Sequence, residues 1–239
     1  MPNSRRLRRA FLLFVSLLLA SSVTGAGGQS VPVPKSKPSP QEIKPPVPKA
    51  AQRPGLPDEE RTCRKRLEKA GVRFHPVKRI YGKNGCGIRY PVEVTRLPDN
   101  VRLSGRTVLS CPAAEALAGW SAKSAGPEAR KRFGSDLVKI DQYASYDCRT
   151  RNSQKGSKLS EHAKGNAIDL GRFHMSDGTV VDVASRPKKG APEQLFLKAL
   201  RKSGCTFFTT VLGPGSDAFH DDHFHFDVAK RRSGYRYCK

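Results

Sequence analysis

Six cysteines lie beyond an apolar leader, at positions 63, 86, 111, 148, 205 and 238 of a 239-residue chain. An even count in an exported chain reads as three disulfides and a fold stapled in an oxidising compartment. No two of them have Cys-x-x-Cys spacing, which sets aside a thiolate metal site or a dithiol redox pair. Sequence alone does not choose the pairing. The expectation is the sequential set, Cys63–Cys86, Cys111–Cys148 and Cys205–Cys238, with the last tying the C-terminus beside the final helix.

Two N-terminal stretches cannot contribute to that fold. Residues 1–26 read as a signal peptide: Arg5, Arg6, Arg8 and Arg9 precede an apolar run from Phe11 to Ala20, and Thr24-Gly25-Ala26 offers small residues for cleavage. The run is shorter than the roughly 20 residues that cross a bilayer, so no membrane span is expected after signal removal. Its retention as an anchor is the alternative. Residues 27–58 read as a linker. They hold nine of the chain's 18 prolines, from Pro32 to Pro57, interleaved with Lys and Ser. Such composition favours extended polyproline conformations and builds no core. Residues 59–239 remain, about 180, which suffices for one well-buried core.

Within that part, three helices are expected: Glu60 to Ala70 closed by Gly71, Pro112 to Ser124 with Leu117 and Trp120 on one side, and Pro192 to Ser203 stopped by Gly204. Strands are expected at 88–94, 107–109, 137–140, 167–173, 179–183, 206–212 and 224–228. Pro91 demotes the first to an edge. Short strands mixed irregularly with a few helices indicate an α+β fold, with a small, mainly antiparallel sheet and flanking helices.

The net charge is +23, from 44 Lys and Arg against 21 Asp and Glu. That excess calls for a polyanionic partner. No helix-turn-helix, RRM or zinc-finger spacing is present, which argues against nucleic acid. Export points instead to peptidoglycan or another anionic envelope polymer, and to the periplasm or cell envelope.

Two windows hold four of the six histidines: Ser160-Glu-His-Ala-Lys-Gly-Asn-Ala-Ile-Asp169 and His220-Asp-Asp-His-Phe-His-Phe-Asp227. Read as a strand, the second puts His223, His225 and Asp227 on one face and Phe224 and Phe226 on the other. His162 and Asp169 are seven apart, so on one continuous strand they would face opposite ways. Gly165-Asn166 permits a turn that lets them converge. Two imidazoles and a carboxylate suit zinc, leaving a fourth position for a water whose pKa falls to about 7. Asp227 is read either as a hydrogen-bond partner of a ligand imidazole or as an arginine's partner. Ser160 is expected to orient the His162 loop, Asp221 to cap a turn, and His220 to lie in a loop, with contact to the cleft as its alternative.

Ser-x-His-x-x-Gly-x-Ala-x-Asp, at 160, 162, 165, 167 and 169, together with His223-x-His225, resembles the signature of zinc D-Ala-D-Ala metallopeptidases. That group includes lysostaphin-type endopeptidases and the hedgehog signalling domain. With Val-Leu-Gly-Pro-Gly-Ser at 211–216 and Asp-His-Phe-His-x-Asp at 222–227, the chain more closely resembles the bacterial extensin-like C-terminal domain family over most of residues 60–239. The resemblance implies a hedgehog- or D-Ala-D-Ala-peptidase-like fold. It also implies zinc (Zn2+) held by His162, Asp169 and His225, and a general base at His223 or Asp222. His223 is preferred because it shares the face of His225 if the strand starts that early. It further implies an upstream arginine for a carboxylate or oxyanion, with Arg149 first and Arg151 second. The expected activity is zinc-dependent hydrolysis of peptide bonds in peptidoglycan, of carboxypeptidase or endopeptidase type. A non-catalytic, zinc-containing wall-binding protein is the alternative.

Overall fold

The computed structural model describes residues 55–239. The expected signal peptide, and the expected linker up to residue 54, lie outside the described residues.

Four α-helices occur among the described residues: α1 (Asp58–Lys69), α2 (Cys111–Trp120), α3 (Gly126–Phe133) and α4 (Pro192–Phe207). None is long and apolar enough to cross a membrane. In α1, Asp58, Glu59 and Glu60 occupy the first turn and Arg66 and Lys69 the last, complementing the helix dipole.

The strands are β1 (Arg73–Pro76), β2 (Ile80–Tyr81), β3 (Gly87–Ile88), β4 (Val92–Arg96), β5 (Arg102–Leu103) and β6 (Val108–Leu109). They continue with β7 (Leu137–Ala144), β8 (Ala167–Met175), β9 (Val180–Asp182), β10 (Thr210–Leu212), β11 (Phe224–Asp227) and β12 (Tyr237–Cys238). One sheet runs β1-β4-β5-β7-β8-β11-β10-β12, with β6 on β4 and β9 on β8; β2 and β3 form a separate hairpin. In the large sheet, β5–β7 and β10–β12 pair in parallel and the other pairings are antiparallel. The fold is therefore α+β around a mixed sheet.

The core lies between one face of that sheet and the helices. Trp120 of α2 is fully buried, edge-on to Phe226 at 5.2 Å, and donates its indole N–H to the Leu200 carbonyl of α4 at 3.2 Å. Phe173 of β8 meets Phe196 of α4 at 5.6 Å. On β11, Phe224 and Phe226 stack with parallel rings on the same face, as strand alternation requires. The opposite face of this part of the sheet is left for polar side chains.

Several expectations need correction. The pairings Cys63–Cys86 and Cys111–Cys148 do not form; the disulfides are Cys63–Cys111 and Cys86–Cys148. Contact between α1 and α2 brings Cys63 to Cys111, a tertiary juxtaposition that sequential pairing cannot foresee. The expected Cys205–Cys238 bond is present and ties β12 to α4. Pro91 does not make its strand an edge. It separates β3 from β4, and β4 pairs with β1 on one side and with β5 and β6 on the other. Gly204 does not stop α4, which continues to Phe207. Gly204 is buried in the helix because a Cβ there would meet Phe226 Cζ at 3.1 Å and Val211 Cγ2 at 3.2 Å. The strand expected from Thr206 accordingly starts only at Thr210. Helix α3 is not among the expected helices; Gly126-Pro127 reads as a breaker, yet the chain stays helical from α2 through a π-helical segment (Ser121–Ala125) that ends just before that pair.

Candidate metal centre

Antiparallel pairing of β8 with β11 sets Asp169 directly opposite His225. With Phe224 and Phe226 packed on the core, alternation turns His225 to the other face, beside Asp169. The third member, His162, comes from a single 3-10 turn (His162–Lys164) that ends at Gly165 with φ +67°. This is the turn that the seven-residue spacing demands. Only a glycine fits there: the conformation is left-handed, and a Cβ would meet Ile88 Cδ1 at 2.2 Å. The turn is tied down on three sides. Ser110 N–H donates to the Gly165 carbonyl at 2.7 Å, the Asn166 amide donates to Glu161 Oε2 at 2.9 Å, and Val228 N–H donates to the Asn166 carbonyl at 3.0 Å. The Ser160 hydroxyl accepts from His162 N–H at 3.3 Å.

The three side chains converge. His162 Nε2 is 3.1 Å from Asp169 Oδ1 and 3.1 Å from His225 Nδ1, and His225 Nδ1 is 2.8 Å from Asp169 Oδ1. Among the described residues they form the His/Asp cluster able to hold a metal ion. Donors in tetrahedral array around zinc, at about 2.0–2.1 Å from it, stand about 3.3 Å apart. The observed separations come within about half an ångström of that.

The outer partners prepare the donors. His162 is fully buried, and its Nδ1–H donates to the Ser145 carbonyl at 2.7 Å, which leaves Nε2 as the lone-pair nitrogen facing the cluster. Ser145 is itself pinned, its hydroxyl accepting from Val108 N–H and donating to the Arg106 carbonyl. His225 Nε2–H donates to Asp227 Oδ2 at 3.4 Å, turning Nδ1 inward. Asp227 therefore partners an imidazole, and among the described residues no arginine is bonded to it.

The electrostatics follow from this packing. Burial alone would raise the pKa of Asp169, but hydrogen bonds and charge from His162 and His225 outweigh it and hold the carboxylate well below its ordinary range. Burial alone would lower His225, yet Asp169 and Asp227 outweigh it and push the imidazole up to about 9. Without a metal, the cluster thus keeps a proton on His225 between two carboxylates. A cation placed among the same donors would take over that proton's role.

The other expected residues surround the cluster. His223 lies just before β11, not within it, but its Nε2 is 3.6 Å from Asp169 Oδ1. Its Nδ1–H donates to Asp222 Oδ1 at 2.6 Å, so Asp222 reaches the site through His223. Arg149 donates Nε–H to Asp147 at 2.8 Å and extends Nη2 to within 3.9 Å of Asp169 Oδ2. Arg149 and Arg151 line a cleft of about 360 Å³ over the cluster. Asp221 accepts from Gly215 N–H and pairs with Arg186, away from the ligands.

Two contributors, Arg231 and Glu161, were not singled out by sequence reading, and His220, expected in a loop, reaches the cleft. His220 packs between His223 and His225, with ring centroids 5.4 and 5.5 Å away, and bonds Asp217 at 2.7 Å. Burial lowers its pKa despite Asp217. Arg231 joins the cleft wall, anchored to the Thr209 carbonyl and the Thr210 hydroxyl. Glu161 is buried under the turn, accepting from Lys164 and Asn166. Glu161 lies inside the first motif, and its spacing to Asn166 was the one available signal.

No curated protein and no solved structure matches the chain. A model of the extensin-like protein C-terminus family matches residues 61–239. Every cluster ligand and every disulfide falls inside that span, and the chain belongs to the extensin-like C-terminal family.

Proposed function

We propose that the protein is a zinc-dependent hydrolase acting on peptide bonds of peptidoglycan in the bacterial cell envelope, in the periplasm. The observation that carries the reading is the buried His162–Asp169–His225 cluster with an imidazole–carboxylate pair, His223–Asp222, 3.6 Å from it. The donor set, borderline nitrogen with one carboxylate oxygen, suits zinc, which supplies a Lewis acid and acidifies water when bound with an open position. The resemblance of both motifs to D-Ala-D-Ala metallopeptidases supports the peptide substrate and the hedgehog- or peptidase-like fold assignment. Three disulfides suit export to an oxidising compartment.

The chain's own residues divide the work. Asp222 holds the His223 Nδ1 proton, so Nε2 keeps a lone pair toward the cleft and can accept a proton there. After accepting it, His223 can return the proton to the departing amine. Arg149, its Nε committed to Asp147, directs its remaining donors at the cleft and can hold a substrate carboxylate or oxyanion. His162, fixed by Ser145, and His225, fixed by Asp227, act as ligands and not as proton carriers.

The test is digestion of purified muropeptides by zinc-loaded protein, read by mass spectrometry, with His223→Ala alongside. Loss of a stem or cross-link peptide bond with wild type, and its near absence with the variant, is expected. Intact muropeptides with fully loaded protein that still binds sacculi would contradict hydrolysis and favour the wall-binding alternative.

A further inference from the structure

Arg231 lines the metal cleft, yet it is neither a cluster ligand nor a partner of His223. Its guanidinium donates to the Thr209 carbonyl at 2.8 Å and to the Thr210 hydroxyl at 2.6 Å. Both acceptors are neutral, and they occupy only part of a guanidinium's five N–H groups. The cleft's own carboxylates are engaged elsewhere: Asp169 and Asp227 with His225, Asp217 with His220, and Glu161 with Lys164. Among the described residues, no acidic side chain pairs with Arg231. Arg149 differs, since Asp147 already takes a share of its charge at 2.8 Å. A half-buried, oriented and unneutralised guanidinium carries a desolvation cost that a bound anion would offset.

The sheet fixes where Arg231 stands. Asp169 of β8, His225 of β11 and Leu212 of β10 form one row across neighbouring strands. Thr210, which holds Arg231, pairs with Asp227, two residues along from that row. Arg149 reaches the other end of the row, with Nη2 3.9 Å from Asp169 Oδ2. The two guanidiniums therefore flank the cluster, one beside β8 and the other anchored on β10. Two strand spacings of about 4.8 Å put them on the order of 10 Å apart. An extended peptide advances about 3.3–3.6 Å per residue, so about three residues cover that distance. The planar fork of each guanidinium matches a carboxylate.

We propose that Arg231 is a second carboxylate anchor and that the cleft selects an acidic peptide. One carboxylate sits on Arg149 and another, about three residues away, on Arg231, with the intervening backbone over the His162–Asp169–His225 cluster. This deepens the peptide-substrate reading given above and rests on it. It concerns binding, so a chain that binds such a peptide without cleaving it satisfies the proposal.

The test uses the full disulfide-bonded, zinc-loaded chain, with His223→Ala in every arm to prevent turnover. The probe is a synthetic peptidoglycan stem tetrapeptide in three forms: all carboxylates free, side-chain carboxylates amidated, or terminal carboxylate amidated. With Arg231 intact, calorimetric titration should show at least tenfold weaker binding for each amidated form. Arg231→Gln should bind the free acid at least tenfold more weakly, and should lose its sensitivity to one amidation while keeping the other. A purely structural Arg231 would instead weaken all three forms alike. Should Arg231→Gln misfold, Arg231→Lys, which keeps the charge without the fork, should reduce the same sensitivity at least threefold. Intact muropeptides in a separate digestion, beside carboxylate-dependent binding here, would sink hydrolysis and leave the anchor standing. Absence of binding by every form would remove the peptide reading and the anchor with it. Equal binding of free and amidated forms, or full sensitivity to both amidations in a folded Arg231 variant, would overturn the anchor alone.

Discussion

At the cluster, a proton and a metal ion compete for one nitrogen. His225 is raised to about 9 in the metal-free chain, so at neutral pH it is protonated between Asp169 and Asp227. That charged contact contributes stability fully below the ordinary histidine pKa of about 6.5 and loses it as pH rises through about 9. Asp169 has the opposite sign: its depressed pKa contributes stability above about 3.9 and loses it as pH falls further. Metal-free protein is therefore expected to lose thermal stability at both ends, which melting curves across pH would record. Loading zinc at pH 7 should expel the His225 proton. Calorimetry in two buffers of different ionisation enthalpy should then give about one proton released per ion, and an enthalpy independent of buffer would contradict this. Asp222 acts one bond further out. Asp222→Asn should leave metal content unchanged and lower kcat by about 10–100-fold, the usual cost of losing such an orienting partner. The ligands were legible because their spacing is local and their chemistry rare. Arg231 was not, because only its packing on Thr209 and Thr210 brings it to the cleft, and His220, though inside the second window, reads as an ordinary loop residue until the fold stacks it on His223 and His225.

At the scale of elements, the cluster depends on one turn and one cross-strand pair. Gly165→Ala should weaken zinc binding at least tenfold, since the added methyl strains a left-handed residue and strikes Ile88. Pairing it with Ile88→Val, which removes the Cδ1 carbon it strikes, should restore part of that affinity by relieving the steric component. Equal zinc affinity for wild type and Gly165→Ala would show the turn to be more tolerant than its geometry implies. The turn could be read from the odd spacing of His162 and Asp169. The course of α4 could not, because Gly204 serves a close approach to Phe226 and not a helix stop. A glycine's two uses, left-handed backbone and missing side chain, look alike in sequence. Trp120 anchors the helices over the sheet, touching Phe226 and Phe173 and bonding Leu200. Trp120→Ala should cost about 3–5 kcal/mol in denaturant unfolding, a large part of a domain's usual 5–15 kcal/mol.

Across the whole molecule, the disulfides divide into those that hold the core and the one that steadies the cleft. Cys86–Cys148 closes a separation of 62 residues and ends one residue before Arg149. Replacing both cysteines by serine should remove about 4 kcal/mol by the chain-entropy account and also raise KM, by loosening Arg149. Replacing the Cys205–Cys238 pair, which adjoins neither Arg149 nor a ligand in sequence, should lower Tm with a smaller effect on KM. The pairing was beyond sequence because it depends on which elements lie side by side, and the order β1-β4-β5-β7-β8-β11-β10-β12 is not the order of the chain. The account rests on the claim that His162, Asp169 and His225 jointly bind one zinc ion. The direct measurement is metal content by mass spectrometry after zinc loading and exhaustive dialysis, for wild type and for His162→Ala, Asp169→Ala and His225→Ala. About one zinc per wild-type chain and near none in each folded variant is the expected result. A wild type without zinc, or variants that retain it, would contradict the claim.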